Sequence, residues 1–323
     1  MSQKNIFVAG HNGMVGSSIL KLLRDKGFNN ILTLTKSELD LSDRINVETL
    51  LKSESPKMVI IAAAKVGGIH ANNSFPAEFI HQNLVIQNNI IHGSYLANIE
   101  KLIFLGSSCI YPKLSKQPMN EGSLLSGQLE PTNEPYAIAK IAGIKMCESY
   151  NRQYGCDFRS LMPTNLYGPN DNFDIENAHV IPAMLYKFHY AKENKLNSVE
   201  IWGTGKPKRE FLHVDDLAAA VLFILGLERK SYQMNTKPMT SHINVGSGHE
   251  IMISELAEII SDVVGYKGKI LFNTEMPDGT PRKLLDTSLI NDIGWSSSID
   301  LENGLHSTYD WFCSNIDSIR NSK

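Results

Sequence analysis

The feature that most constrains this chain is an apolar strand, a glycine loop and a helix in immediate succession near its start. Ile6-Phe7-Val8-Ala9 is apolar throughout, Gly10-His11-Asn12-Gly13-Met14-Val15-Gly16 follows, and a helical pattern runs from about 15 to 26. Glycines at such a junction let backbone N–H groups approach a pyrophosphate at a helix N-terminus. The spacing is G-x-x-G-x-x-G, one residue longer in its first gap than the usual dinucleotide fingerprint. Glycines that merely make a turn are the plainer alternative; the strand before and the helix after favour a ligand loop.

The pattern then repeats. Apolar runs at 31–34, 58–64, 102–105 and 158–162 read as strands, and helical stretches at 76–98 and 136–154 lie among them. Alternation of this kind predicts an α/β fold, a Rossmann-type doubly wound parallel sheet. Ligands in such sheets sit beyond the carboxyl ends of the strands. After about residue 170 the pattern loosens into helices near 179–193 and 254–264, strands at 199–202, 243–246 and 269–272, and a last helix near 301–317. We therefore expect a dinucleotide-binding domain over 1–170 and a smaller mixed α/β substrate-binding lobe over 171–323. A segment near 210–245 should return to the first domain. A length of 323 residues suits one large domain or two coupled lobes.

Charge excludes some partners. Lys plus Arg is 31 and Asp plus Glu is 34, a net −3, so no general attraction to nucleic acid or anionic membrane follows. The longest apolar run, 217–227, is too short to span a bilayer, and the first strand begins too early for a secretory signal. Cys109, Cys147, Cys156 and Cys313 lack metal-type or redox-pair spacing, so a reduced, cytoplasmic setting is expected. The helix at 76–98 is apolar on more than one stripe. Either both faces are buried within one subunit or the second meets a partner, and we expect a homodimer.

Two stretches suggest chemistry. Tyr136 and Lys140 are four residues apart and share a helix face. A lysine ammonium favours the phenolate, easing proton movement from a group whose pKa is otherwise about 10. Ser107 ends the apolar run at 102–105, and its hydroxyl could bond a substrate oxygen while Tyr136 passes a proton to it. Together these suit reduction of a carbonyl. The second strand ends at Thr35-Lys36-Ser37. A cation there suits a 2′-phosphate, hence NADP(H), although Glu38 and Asp40 lie close by. Asp40 and Leu41 are expected to flank the adenine.

The glycine loop, Ser107 with Tyr136 and Lys140, and Arg-Glu-Phe-Leu-His-Val-Asp-Asp at 209–216 resemble the extended short-chain dehydrogenase/reductases that act on sugar nucleotides. Segments 62–69, 106–113, 130–140, 162–169 and 277–283 are similar, more narrowly, to the GDP-fucose-forming epimerase-reductases of that group, and the likeness runs essentially end to end. The resemblance implies GDP-4-dehydro-6-deoxy-D-mannose as substrate, NADPH as reductant and GDP-L-fucose as product. It implies Tyr136, Lys140 and Ser107 at the ketone, Cys109 as base and His179 as acid for inversion at C3 and C5. The cofactor would be held by Gly10, Asn12, Gly13, Met14, Val15, Gly16, Lys36, Asp40, Leu41, Leu105, Gly106, Ser107, Ser108, Lys140, Pro163, Thr164, Asn165, Leu166 and His179. The GDP-sugar would be held by Lys187, Trp202, Arg209 and Asp278. Members carry arginine where this chain has Asn12 and Lys36. Cys147, Cys156 and Cys313 read as small buried hydrophobes. The rival readings are a GDP-colitose synthase inverting only C5, a plain 4-reductase, a UDP-sugar 4-epimerase, and a nucleotide-sensing protein without catalysis.

Overall fold

The structure, a computed structural model, describes residues 6–174, 178–276 and 278–321. In chain order the first half comprises β1 (Ile6–Ala9), α1 (Met14–Asp25), β2 (Ile31–Leu32), α2 (Arg44–Glu54), β3 (Met58–Ile61), α3 (Ile69–Ser74), α4 (Pro76–Leu96), β4 (Lys101–Leu105), α5 (Glu134–Tyr154) and β5 (Phe158–Pro163). Then follow β6 (Asn165–Tyr167), α6 (Val180–Glu193), β7 (Ser198–Trp202), β8 (Lys208–His213), α7 (Val214–Gly226), α8 (Arg229–Asn235) and β9 (Ile243–Val245). The chain closes with β10 (Glu250–Met252), α9 (Ile253–Val264), β11 (Lys269–Asn273), β12 (Arg282–Lys283), α10 (Ser288–Ile293) and α11 (Leu301–Asn321).

The main sheet is parallel throughout, in the order β2-β1-β3-β4-β5-β9. Its central strands are buried at nearly every position, because apolar layers cover both faces. One layer joins Ile6, Val8, Ile60 and Ile103 to α1 and α7; the other joins Phe7, Val59, Ile61 and Phe104 to α2, α4 and α5. The strand order reverses between β1 and β3, which opens a crevice at their carboxyl ends. Gly10 lies there with φ +87°, and a Cβ on it would come within 2.6 Å of Ala63 N. Only glycine lets the two strand ends approach so closely.

Two expected strands are shorter than their apolar runs. β2 stops at Leu32, because Thr35 turns its N–H to the Glu38 carboxylate at 2.7 Å instead of to a neighbouring strand. β3 stops at Ile61, and Ala62, Ala63 and Ala64 run along the crevice wall. Helix α4 packs against both α2 and α5, so much of its double apolar stripe is used within the chain. It also carries buried amides. Asn83 bonds the Lys65 backbone at both N–H and C=O, Gln87 donates to Ala139 O at 2.6 Å, and Asn89 donates to Leu41 O and Ser42 O, each at 3.0 Å. These bonds pin loops that border the crevice.

In the second lobe, β8 is paired antiparallel with β10 and parallel with β12 and β6, while β7 pairs with β11. Its core gathers Phe173, Leu185, Phe188, Leu256, Ile260, Leu305 and Phe312 from α6, α9, α11 and the loop before α6. The chain crosses back before it ends, since β9 adds to the main sheet beside β5 and α7 packs on α1.

Candidate active site

A cavity of about 1710 Å³ begins at the glycine loop, passes the ends of β3, β4 and β5, and reaches α6, β7 and β8 in the second lobe. Each site residue named from the sequence lines it: Ser107, Cys109, Tyr136, Lys140 and His179; the loop residues Gly10, Asn12, Gly13, Met14, Val15 and Gly16; Lys36, Asp40, Leu41, Leu105, Gly106 and Ser108; Pro163, Thr164, Asn165 and Leu166; and Lys187, Trp202, Arg209 and Asp278.

The glycine end has the form of a phosphate site. Helix α1 starts at Gly13 with no side-chain cap and no acidic residue in its first turn, so its leading N–H groups are left for a ligand. A Cβ on Gly13 would meet nothing nearer than Gly10 O at 3.7 Å, so packing does not require a glycine there. What its absence does is bare the helix start toward the cavity. Lys36 is exposed at the cavity edge. Asp40 accepts from Ser42 N at 2.9 Å and Ser42 Oγ at 2.7 Å, which hold its carboxyl below the usual range. Thr164 and Asn165 are steadied through Glu210 O, at 3.3 and 2.8 Å.

The reacting centre departs from one expectation. Lys140 lies 3% exposed under the Tyr136 ring, 5.8 Å from its centroid, and donates to Leu105 O at 2.9 Å. Burial brings its own pKa down to about 8. The lysine was expected to favour the Tyr136 phenolate. Instead burial drives the phenol's pKa well above its ordinary value, charge on Cys109 adds to this, and only the hydrogen bond with Ser107 opposes it. Desolvation dominates at Tyr136, so the phenol keeps its proton until a strong base forms beside it.

Ser107 leads a single 3-10 turn at Ser108–Ile110, and its hydroxyl accepts from Cys109 N at 3.3 Å. That turn aims Cys109, half-buried, toward the cavity, where its sulfur accepts from Lys283 Nζ at 3.6 Å. His179, the residue before α6, is exposed to the same cavity. Desolvation first, and the Lys283 charge second, lower its pKa below the ordinary value. The other cysteines differ from one another. Cys147 is buried as expected and Cys156 is half-buried, but Cys313 is exposed, because it falls on the solvent face of α11.

At the far end, Lys187 Nζ stands 5.5 Å from the centroid of the Trp202 ring, which is 63% exposed, and donates to Glu200 O at 3.2 Å. Arg209 donates to Lys208 O at 2.8 Å, and burial lowers its pKa. Asp278 accepts from Thr204 N at 2.8 Å and Thr204 Oγ at 2.7 Å. The motif around Arg209 is otherwise structural. Glu210 is fully buried and accepts from Gly248 N at 2.8 Å and Leu285 N at 3.0 Å, His213 caps α7 through Asp215 N, and Asp216 holds Ser298 and Ile299.

Of the lining residues to which sequence reasoning gave no role, two lie next to the reacting centre. Lys283 meets Cys109 across 174 positions of chain, and no local spacing announces such a pair. Asn133 lies three residues before Tyr136, and its Oδ1 is buried with no hydrogen-bond partner among the described residues. It is the N-cap residue of α5, yet its side chain makes no cap hydrogen bond.

A doubly wound sheet with an uncapped glycine loop at its switch point, next to serine, phenol and buried lysine, defines a dinucleotide-dependent carbonyl-processing enzyme. The model of the NAD dependent epimerase/dehydratase family matches residues 6–246, and the chain belongs to that family. It is 57% identical over 320 residues to GDP-L-fucose synthase of Escherichia coli (strain K12), spanning 99% of this chain and 100% of that one. It is 39% identical over 308 residues to GDP-L-colitose synthase of Yersinia pseudotuberculosis, spanning 95% and 97%. Among solved structures, a GDP-mannoheptose C4 reductase from Campylobacter jejuni with NADP bound superposes with a TM-score of 0.88 at 38% identity, covering 97% of this chain and 99% of that one.

Proposed function

We propose that this protein converts GDP-4-dehydro-6-deoxy-D-mannose to GDP-L-fucose, inverting C3 and C5 and then reducing C4 with NADPH. The observation that carries this reading is the Cys109 sulfur, turned into the cavity beside Ser107 and Tyr136 and touched by Lys283. A plain 4-reductase needs no such group. Relatedness supports it, since identity is 57% to a fucose synthase and 39% to a colitose synthase.

The glycine loop and Lys36 would hold NADPH, which when bound would supply the hydride. The chain's own residues do the rest. Both inverted carbons flank the C4 ketone, so their protons are acidified by enolate formation. Cys109 takes a proton from one face and His179 delivers one to the other. Ser107 and Tyr136 bond the C4 oxygen during inversion, so one oxyanion site serves both stages. In the reduction Tyr136 releases its proton only when C4 becomes an alkoxide, a stronger base than a phenolate. Lys140 would bond the nicotinamide ribose, and Pro163, Thr164, Asn165 and Leu166 would hold the ring. Lys187 and Arg209 pair with the pyrophosphate, Trp202 offers a flat face, and Asp278 accepts from guanine or ribose.

On this reading residues 1–170, with the returning 210–245, hold the cofactor, and the remainder holds the GDP-sugar. Four free cysteines suit a cytoplasmic setting. Two copies meet through the outward face of α4 and α5, where Leu96, Ile138 and Tyr154 are 38, 40 and 47% exposed. The test of function is incubation with the 4-keto sugar and NADPH. GDP-L-fucose is the expected product; a 4-reduced sugar of unchanged C3 and C5 stereochemistry would replace this reading with the plain reductase.

A further inference from the structure

We propose that Lys283 is the positioning residue for Cys109, holding its sulfur toward the cavity and supplying the counter-charge for its thiolate, so that inversion depends on it and hydride transfer does not. This rests on Cys109 being the base at C3 and C5.

The second lobe delivers this lysine with its geometry already decided. Along β12, successive side chains alternate in direction. Arg282 goes to Glu250, at 2.6 Å, and Lys283 goes to Cys109. The strand beyond is tied down as well. Leu284 N donates to Gln117 Oε1 at 2.8 Å and Leu285 N to the buried Glu210 carboxylate at 3.0 Å. Lys283 is register partner to Arg209 on β8, and both line the cavity. Arg282, Lys208 and Arg209 all have oxygen partners, whereas no carboxylate pairs with Lys283 among the described residues. Its charge is directed at the sulfur and at His179. Nearby, the Ser107 hydroxyl accepts from the Cys109 N–H at 3.3 Å and the Tyr136 phenol feels the charge of Cys109; neither is cationic.

A thiol is a weak base; a thiolate beside an ammonium is the reactive form. In the step, the C–H bond next to the ketone breaks, the S–H bond forms, and the electron pair moves to the C4 oxygen as an enolate. His179 closes a new C–H bond on the opposite face, and the sulfur returns its proton to solvent. Nothing is oxidised. Removal of the lysine takes away the donor that meets the sulfur at 3.6 Å.

The experiment uses the NADP-bound protein as wild type, Lys283→Met, Lys283→Arg and Cys109→Ser. Two quantities are read: deuterium uptake at C3 and C5 of saturating GDP-4-dehydro-6-deoxy-D-mannose in heavy water, and the rate of Cys109 alkylation by iodoacetamide. Lys283→Met should lose about a hundredfold in uptake, the scale of a general base lost, and should alkylate more slowly. Lys283→Arg should recover most of both, and NADPH affinity should be the same in all four. Wild-type alkylation and uptake in Lys283→Met, with only KM raised, would overturn the proposal and leave Cys109 as the base. Wild-type uptake in Cys109→Ser would instead overturn the assignment on which the proposal rests.

Discussion

Tyr136 and Lys140 have exchanged the effects expected of them. The phenol is held protonated by burial, and the lysine carries the more labile proton, with a pKa of about 8. The native state therefore gives up the Lys140 proton near pH 8, while the unfolded chain keeps it to about its ordinary 10.5. Between those values the unfolded state binds more protons, so stability from this group rises with pH. Without ligands, wild type should gain in urea midpoint relative to Lys140→Met as pH rises from 8 to 10.5; a constant difference across that window would show that burial does not depress this lysine. Lys36 makes a second residue-scale case, being an exposed cation at the cavity edge where relatives are expected to carry arginine. Lys36→Glu should weaken NADPH binding about tenfold or more and barely change NADH, by loss of one charge-assisted phosphate contact. Equal losses in fluorescence titrations would place the 2′-phosphate elsewhere.

Among the elements, α4 does two jobs. Its inner faces pack on α2 and α5, its buried amides fasten the loops at 41–42 and 65, and a residual apolar strip with α5 faces outward. Sedimentation of wild type should give a dimer and Ile138→Glu a monomer, since a charge buried without a partner opposes association; a monomeric wild type would remove the interface. The helix was legible in its apolar spacing, and so was the order of strand, glycine loop and helix at β1 and α1. Strand ends were less so. The apolar runs at 31–34 and 58–64 continue past the sheet because the same small and apolar residues also line the crevice. Short elements such as β12 carry no period of their own, since tertiary hydrogen bonds to Glu210 and Gln117 set their place.

Across the whole molecule, one cavity is assembled by two lobes that contribute unlike parts. The main sheet presents the glycine loop, Ser107, Cys109, Tyr136 and Lys140, while the second lobe brings His179, Lys187, Arg209 and Lys283. Motifs and resemblance were enough to name most of these residues. They included Lys283 in a matching segment but gave it no role, because pairing across lobes follows from folding of the full chain and not from spacing. On the proposed reading, thiol and imidazole with the Lys283 ammonium serve inversion alone, while Ser107 and Tyr136 serve both stages. The most direct measurement of that division is the fate of label when wild type and Cys109→Ser act on the 4-keto sugar in heavy water with NADPH. The account predicts deuterium at both C3 and C5 in the wild-type product, and a loss of label by about a hundredfold in Cys109→Ser with NADPH binding intact. Undiminished label at both carbons in the variant would contradict it.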